Sequence, residues 1–376
     1  MTKTIFIAGS GGIGEAAALL LREWSEFDTT IILGDVQEEN LGKARDFVIG
    51  NSAKTTKVET VVMSADGIND AMKAAFETTD VLLDCSPGGQ APRMARFAVD
   101  FKMHYANLTE YVAETDEIIA MASGAETGFI LQTGLAPGFI NVKAMDLYHE
   151  FVQKYENEKV ERIGMKVGAL TAHAHSPHFY GFTWSPIGVA TEYVKNSRVI
   201  RNYKITERPA LSARETIVIG ARTYEADLTS GGAADLPDFF EGVARQLEYK
   251  TLRYVGHYDW VESMIKKLPK DTELPNRLQE TMLQAVPSVE DDVVLVHASV
   301  DGFDSHGRRR MLEKAYFVEP IVINGHHLRA IQTTTAAPLC QSAMMLLTDT
   351  LKGVVLQSKI EPTPFLAGNF VSRVYN

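Results

Sequence analysis

Thr4-Ile5-Phe6-Ile7-Ala8-Gly9-Ser10-Gly11-Gly12-Ile13-Gly14 decides the fold of this chain. Its first half is apolar, as a strand buried on both faces requires, and its second half matches G-x-G-x-x-G. After the glycines, Ile13, Ala16, Ala17, Leu20, Leu21 and Trp24 recur at helical spacing. Strand, glycine turn and helix in this order open a dinucleotide-binding βαβ unit. Gly9 permits the tight turn, Gly11 lets the backbone approach a pyrophosphate, and Gly14 allows close helix packing. Ser10, Gly12 and Ile13 complete the loop, and the N–H groups at the start of the helix offer positive potential to phosphates.

Asp35 stands 21 positions beyond Gly14, at the end of the second apolar run. An acid there accepts hydrogen bonds from the adenosine ribose and repels a 2′-phosphate. Val36, Gln37 and Glu38 bring no arginine to bind one, so NAD is expected in preference to NADP. Asp66, after the third strand, is placed either beside the adenine or as a helix N-cap. Ligands of open α/β sheets sit beyond the carboxyl ends of the strands, which brings the loop Cys85-Ser86-Pro87 beside the nicotinamide. Cys85 itself is read as a small buried hydrophobe, not a nucleophile.

Working outward, apolar runs at Thr30–Leu33, Val58–Met63, Val81–Leu83, Tyr105–Leu108 and Phe129–Gln132 alternate with helical stripes such as Leu41, Ala44 and Phe47. Six strands complete a doubly wound parallel sheet over residues 1–135, with a helix in 335–376 packing back on it. Residues 136–334 begin with a long helix and then turn strand-rich. They are expected to form a second α+β domain with a largely antiparallel sheet for substrate binding and dimerisation. A continuous strand over Lys314–Ile323 and a helix over Ala336–Val354 belong to this reading. His326-His327 is read as a solvated turn.

The chain has 376 residues, enough for two domains, and 37 Lys+Arg against 48 Asp+Glu give a net charge of −11. That sign opposes nucleic acid and anionic membranes as partners. No apolar run is long enough to span a bilayer, and Ile5–Ala8 is cut by glycines before it resembles a signal peptide. Two cysteines suit a reducing compartment, so a cytoplasmic protein is expected. A strand-rich second domain often pairs through its sheet, and a homodimer is expected on that ground.

The glycine loop, Asp84-Cys85-Ser86-Pro87, Tyr105-Ala106-Asn107-Leu108-Thr109, Gly134-Leu135-Ala136-Pro137-Gly138, Phe182-Thr183-Trp184-Ser185-Pro186 and Thr251-Leu252-Arg253-Tyr254-Val255-Gly256-His257 together resemble the saccharopine dehydrogenase family. The likeness runs over nearly the whole chain. It implies oxidation of a C–N bond of an amino acid or amine, with NAD(P) taking the hydride. Glutamate-forming members carry Asp where this chain has Ala136 and tend to carry Arg where it has Ile187. Those departures favour the lysine 6-dehydrogenase branch over saccharopine or carboxylated-polyamine oxidation. A reading of another class, a non-catalytic dinucleotide sensor, keeps the same glycine loop.

Amine oxidation needs a deprotonated amine and hence a base near the substrate nitrogen. His257 and Tyr111 are the candidates, while Arg253 suits a substrate carboxylate, with His173 and Trp184 shaping the pocket. His173, His175 and His178 have spacing that a transition metal tolerates. Hydride transfer requires no metal, and none is expected.

Overall fold

The computed structural model describes residues 2–50, 54–348 and 350–376. The chain opens with β1 (Lys3–Ala8), α1 (Gly12–Trp24), β2 (Thr29–Asp35), α2 (Glu38–Ile49), β3 (Lys57–Val62) and α3 (Asp70–Phe76). It continues through β4 (Val81–Asp84), α4 (Ala91–Asp100), β5 (His104–Asn107), α5 (Val112–Ala122) and β6 (Gly128–Ile130). Ile5, Phe6, Ile7 and Ala8 are wholly buried, as their unbroken apolar run requires. Beneath one face of the sheet Phe6, Leu82, Tyr105 and Phe129 pack with Met72, Phe76, Met94 and Ile118 from α3, α4 and α5. Pro92 near the start of α4 costs no helical bond, because the first-turn N–H groups have no intrahelical acceptor.

The second unit takes in Ile140–Pro320 and Arg329–Ile331. Along it run α6 (Phe139–Tyr155), β7 (Val160–Thr171), α7 (Pro186–Glu192), β8 (Ser197–Arg201), β9 (Lys204–Arg208), β10 (Glu215–Ile219) and β11 (Arg222–Leu228). Then follow α8 (Leu236–Phe240), β12 (Ala244–Tyr254), α9 (His257–Ile265), α10 (Leu274–Leu283), β13 (Asp292–Phe303) and β14 (Arg309–Val318). The sheet order is β10-β11-β12-β7-β13-β14, with β8 and β9 attached to β12. Only β7 and β12 pair in parallel, so the sheet is mixed with a largely antiparallel character.

The chain then returns to the first unit, which comprises Met1–Phe139, Ile321–Leu328 and Gln332–Asn376. Here lie β15 (Ile321–Ile323) and β16 (His326–Leu328), the greater part of α11 (Ala330–Thr348), and β17 (Gly353–Val355), α12 (Pro362–Leu366) and α13 (Val371–Val374). The parallel sheet of this unit has seven strands in the order β17-β6-β5-β4-β1-β2-β3. It is a Rossmann-type sheet carrying one strand more than the six expected.

Three local expectations need correction. The run Lys314–Ile323 is two strands, because Pro320 has no N–H to offer a ladder and separates β14 from β15. The expected helix to Val354 stops at Thr348, and the Gly353 turn at φ +63° leads into β17 instead. Asp349, inside that expected helix, lies outside the described residues. His326 is half-buried in β16, its ring 4.4 Å from that of Phe47, not in a solvated turn.

Candidate functional site

The three glycines of the loop after β1 do different work. Gly9 sits at φ +94°, and a Cβ there would lie 2.7 Å from the Cys85 carbonyl oxygen. A Cβ on Gly14 would collide with the Gly9 carbonyl, so this glycine lets α1 close on the strand end. Around Gly11, by contrast, nothing lies within 4 Å of a built Cβ, and its backbone is extended, φ −73° and ψ −172°. Conformation does not demand a glycine there, whereas a ligand approaching the backbone does. Gly11 is also the N-cap of α1 and supplies no side-chain cap to the helix. An open cradle beneath the first turn of a helix is the geometry a pyrophosphate needs.

Asp35 fastens this loop. Its Oδ2 accepts from the Ser10 N–H at 2.9 Å and the Ser10 hydroxyl at 3.0 Å, and its Oδ1 accepts from the Gln37 N–H at 2.9 Å. A carboxylate offers about four acceptor positions, so roughly one remains for a ribose hydroxyl. The side chain is half-exposed and directly follows Gly34 in β2, whose carbonyl accepts the Gly9 N–H at 2.7 Å. Asp66 is exposed and caps no helix, because the N-cap of α3 is Asn69, which accepts the Met72 N–H at 2.8 Å.

At the end of β4 a group missed in the sequence comes to the fore. Asp84 is 2 % exposed and accepts from the Ser86 N–H at 3.0 Å, from the Ser86 hydroxyl, and from the Tyr105 hydroxyl at 2.8 Å. Burial pushes its carboxyl above the ordinary range, against those donors. Asn107 extends the chain of contacts, donating to Tyr105 at 3.4 Å and accepting the Gln132 N–H at 2.8 Å. The rims of β4, β5 and β6 are thus tied by side chains. Only the acidic residue before Cys85-Ser86-Pro87 hinted at this, and nothing marked Tyr105 as its partner. Cys85 is half-buried rather than buried, and burial together with Asp84 pushes its thiol far up, so it stays protonated at neutral pH.

Tyr111 precedes α5, and its ring covers Gly88, where a Cβ would lie 3.0 Å from it. Its phenol is raised by burial and by Glu110 and Glu114, so at neutral pH it is a proton donor, not a base. Gly9, Gly11, Asp35, Cys85 and Ser86 therefore share one rim of the first unit, and Tyr111 stands over the Gly88 end of it.

In the second unit, Arg253 and His257 come together, but on inward-facing terms. Arg253 is 1 % exposed, donates from Nε to the Tyr193 hydroxyl at 2.6 Å and from Nη1 to the Leu252 carbonyl at 2.9 Å, and lies over the rings of Tyr180 and Tyr193. His257 is fully buried, its Nε2 2.9 Å from the Tyr193 hydroxyl and its Nδ1 2.6 Å from the His178 carbonyl. A carbonyl only accepts, so Nδ1 carries the hydrogen, Nε2 accepts from Tyr193, and Tyr193 accepts from Arg253. Burial first, then the Arg253 charge, lowers the His257 pKa to about 3. Both ring nitrogens of His257 are thus engaged inside the unit, whereas Arg253 meets the expected carboxylate role as a buried cation bonded through Nε and Nη1 to Tyr193 and Leu252.

Trp184 is half-buried, with its ring packed over Gly188 in α7. His173 is exposed and pairs through Nε2 with Asp291 at 2.8 Å, while His178 Nδ1 accepts the Tyr180 N–H at 3.2 Å. Among the described residues no three His, Cys, Asp or Glu side chains are grouped to hold a metal ion. None of their helices is long and apolar enough to cross a membrane.

The seven-stranded parallel sheet with an open glycine loop and an acid at the end of β2 defines a dinucleotide-binding protein of the Rossmann type. Two family descriptions match the chain: the saccharopine dehydrogenase NADP binding domain over residues 5–131 and the saccharopine dehydrogenase C-terminal domain over 134–368. The chain belongs to the saccharopine dehydrogenase family. It is 22 % identical over 205 residues to the mitochondrial alpha-aminoadipic semialdehyde synthase of Rattus norvegicus, covering 54 % of this chain and 21 % of that protein. The chain thus aligns with about a fifth of that relative's length. Among solved structures, apo saccharopine dehydrogenase (L-Glu forming) from Saccharomyces cerevisiae superposes with a TM-score of 0.75 at 13 % identity, covering 99 % of this chain and 98 % of the other. Homospermidine synthase from Legionella pneumophila, in complex with NAD, gives 0.68 at 12 % identity over 100 % and 91 %. At such identities the likeness is one of fold.

Proposed function

We propose that the chain is an NAD-linked dehydrogenase that oxidises a C–N bond of an amino acid or amine, with a lysine-like side-chain amine favoured. The observation that carries the cofactor half is the open space over Gly11 at the N-terminus of α1, next to a rim anchored by Asp35. Held over the Gly11 backbone with its ribose at Asp35, NAD would supply the hydride acceptor for the carbon bearing the nitrogen; the N–H proton would pass to solvent and water would open the resulting imine. Asp35 discriminates against a 2′-phosphate, and Val36, Gln37 and Glu38 provide no cation to neutralise one. Tyr111, over the Gly88 loop, is suited to donate a hydrogen bond to substrate or departing amine.

The substrate half draws on family membership and on Ala136 and Ile187, which replace polar groups that a tricarboxylate substrate would use. Its test is NADH absorbance with lysine, saccharopine, ornithine and carboxylated polyamines, each also offered with NADP. Turnover is expected with lysine or a close amine and with NAD faster than NADP. Tight NAD binding without turnover of any amine overturns the enzymatic reading in favour of a sensor. The same reading places the protein in the cytoplasm as a homodimer, its two free cysteines at home in a reducing compartment. A monomer by light scattering at micromolar concentration removes the dimer from it.

A further inference from the structure

The loop between β3 and α3 has few ties of its own, yet one side chain from another element holds it. Arg93, in the first turn of α4, donates from Nη2 to the Ser64 carbonyl at 2.8 Å and the Gly67 carbonyl at 2.5 Å. Its Nη1 donates to the Ala65 carbonyl at 2.6 Å and to Gln90 Oε1 at 3.2 Å. The guanidinium carbon lies 5.5 Å from the Phe97 ring centroid, which limits its swing. Three carbonyls of one short loop converge on one planar cation. A lysine ammonium, with its single point of charge, cannot reproduce that fork.

The position of this loop gives the clamp a purpose. It leaves the carboxyl end of β3, which pairs with β2 through Asp35 and Val62, and the Met63 N–H donates to the Asp35 carbonyl at 2.7 Å. Ligands of such sheets lie beyond the carboxyl ends of the strands, so the adenosine end of a dinucleotide beside Asp35 has this loop as its wall. We propose that Arg93 is a positioning residue for the adenylate half of the cofactor: it holds Ser64 to Gly67 in the shape that receives the nucleotide, without touching the reacting atoms. This rests on the dinucleotide-binding reading above. A loop already held in its binding shape spares the ordering cost at the moment of association.

The test is calorimetric titration of the full-length parent, Arg93→Ala and Arg93→Lys with ADP-ribose, NAD and nicotinamide mononucleotide, with circular dichroism as a check on folding. Arg93→Ala is expected to weaken ADP-ribose and NAD by the same factor, roughly tenfold to a hundredfold, and to leave the mononucleotide unchanged. Arg93→Lys should recover only part of that loss. The three carbonyls are at or near the surface and can turn to water, so the fold should survive. A parent that binds neither ADP-ribose nor NAD sinks the dinucleotide reading itself. A parent that binds ADP-ribose as tightly as Arg93→Ala does, or a variant that loses the mononucleotide equally, overturns the positioning role alone.

Discussion

The loop Gly9–Gly14 and the segment Thr251–His257 both stand out as motifs, yet the structure treats them in opposite ways. In the first, the backbone is the working surface and the space over Gly11 is empty. In the second, Arg253 and His257 are buried in their own unit, where Arg253 Nε and Nη1 and both His257 ring nitrogens bond to Tyr193, Leu252 and His178. A glycine motif advertises room for a ligand, because the missing side chain is the signal. A motif of large polar residues advertises only that those residues have partners, and the partners can be internal.

The sharpest way to break the contrast lies within the glycine loop. Gly14→Val should destabilise the first unit by more than about 4 kcal/mol, since its Cβ collides with the Gly9 backbone and neither element can yield cheaply. Chemical denaturation reads this directly, and a near-normal midpoint would remove the packing role assigned to Gly14. Gly11→Val, placed in open space, should keep the parental melting temperature while losing NAD affinity by at least about a hundredfold, or roughly 3 kcal/mol. If the valine variant binds NAD like the parent, the loop is not the cofactor cradle.

Arg253→Ala examines the other side. The buried guanidinium fills an aromatic box, so its removal should cost about 2–4 kcal/mol of stability through the cavity and the lost hydrogen bonds. The amino acid KM should stay near the parental value; a large rise in KM at unchanged stability would restore the substrate-carboxylate role.

His257 makes a claim about pH. Its folded pKa, about 3, lies below the ordinary 6.5, so the unfolded chain binds the extra proton and stability falls as pH drops from about 6.5 towards 3. The slope from this one group approaches about 1.4 kcal/mol per pH unit. His257→Gln keeps an acceptor for Tyr193 and a donor for the His178 carbonyl, so its melting temperature should decline less between pH 6.5 and 5 than the parent's. Parallel curves for parent and variant would show that His257 does not titrate in this way.

The smallest effect belongs to Asp35→Asn. The amide keeps one acceptor oxygen and turns an NH2 toward the donors of Ser10 or Gln37, so the loop's fastening and the ribose bond both weaken, about 1–1.5 kcal/mol in NAD affinity together with a narrower preference over NADP. Unchanged affinity and preference would show that Asp35 neither holds the loop in its binding shape nor meets the ribose.

What the chain discloses unaided follows from what is local. The βαβ alternation, the parallel sheet, the glycine loop and the acid at the end of β2 depend on residue spacings within one strand, turn and helix, and periodicity records those. The first unit's central strands read clearly for the same reason: burial on both faces leaves an unbroken apolar run. Tertiary structure alone decided the rest. β17, three residues long, has no period to display and exists because Gly353 turns it beside β6. Asp84 meets Tyr105 across 21 residues, Arg93 meets Ser64 across 29, and Arg253 meets Tyr193 across 60. A side chain's chemistry is written in its identity, but whether it faces a ligand, a loop or another side chain is set by packing between distant elements, and no local pattern encodes that.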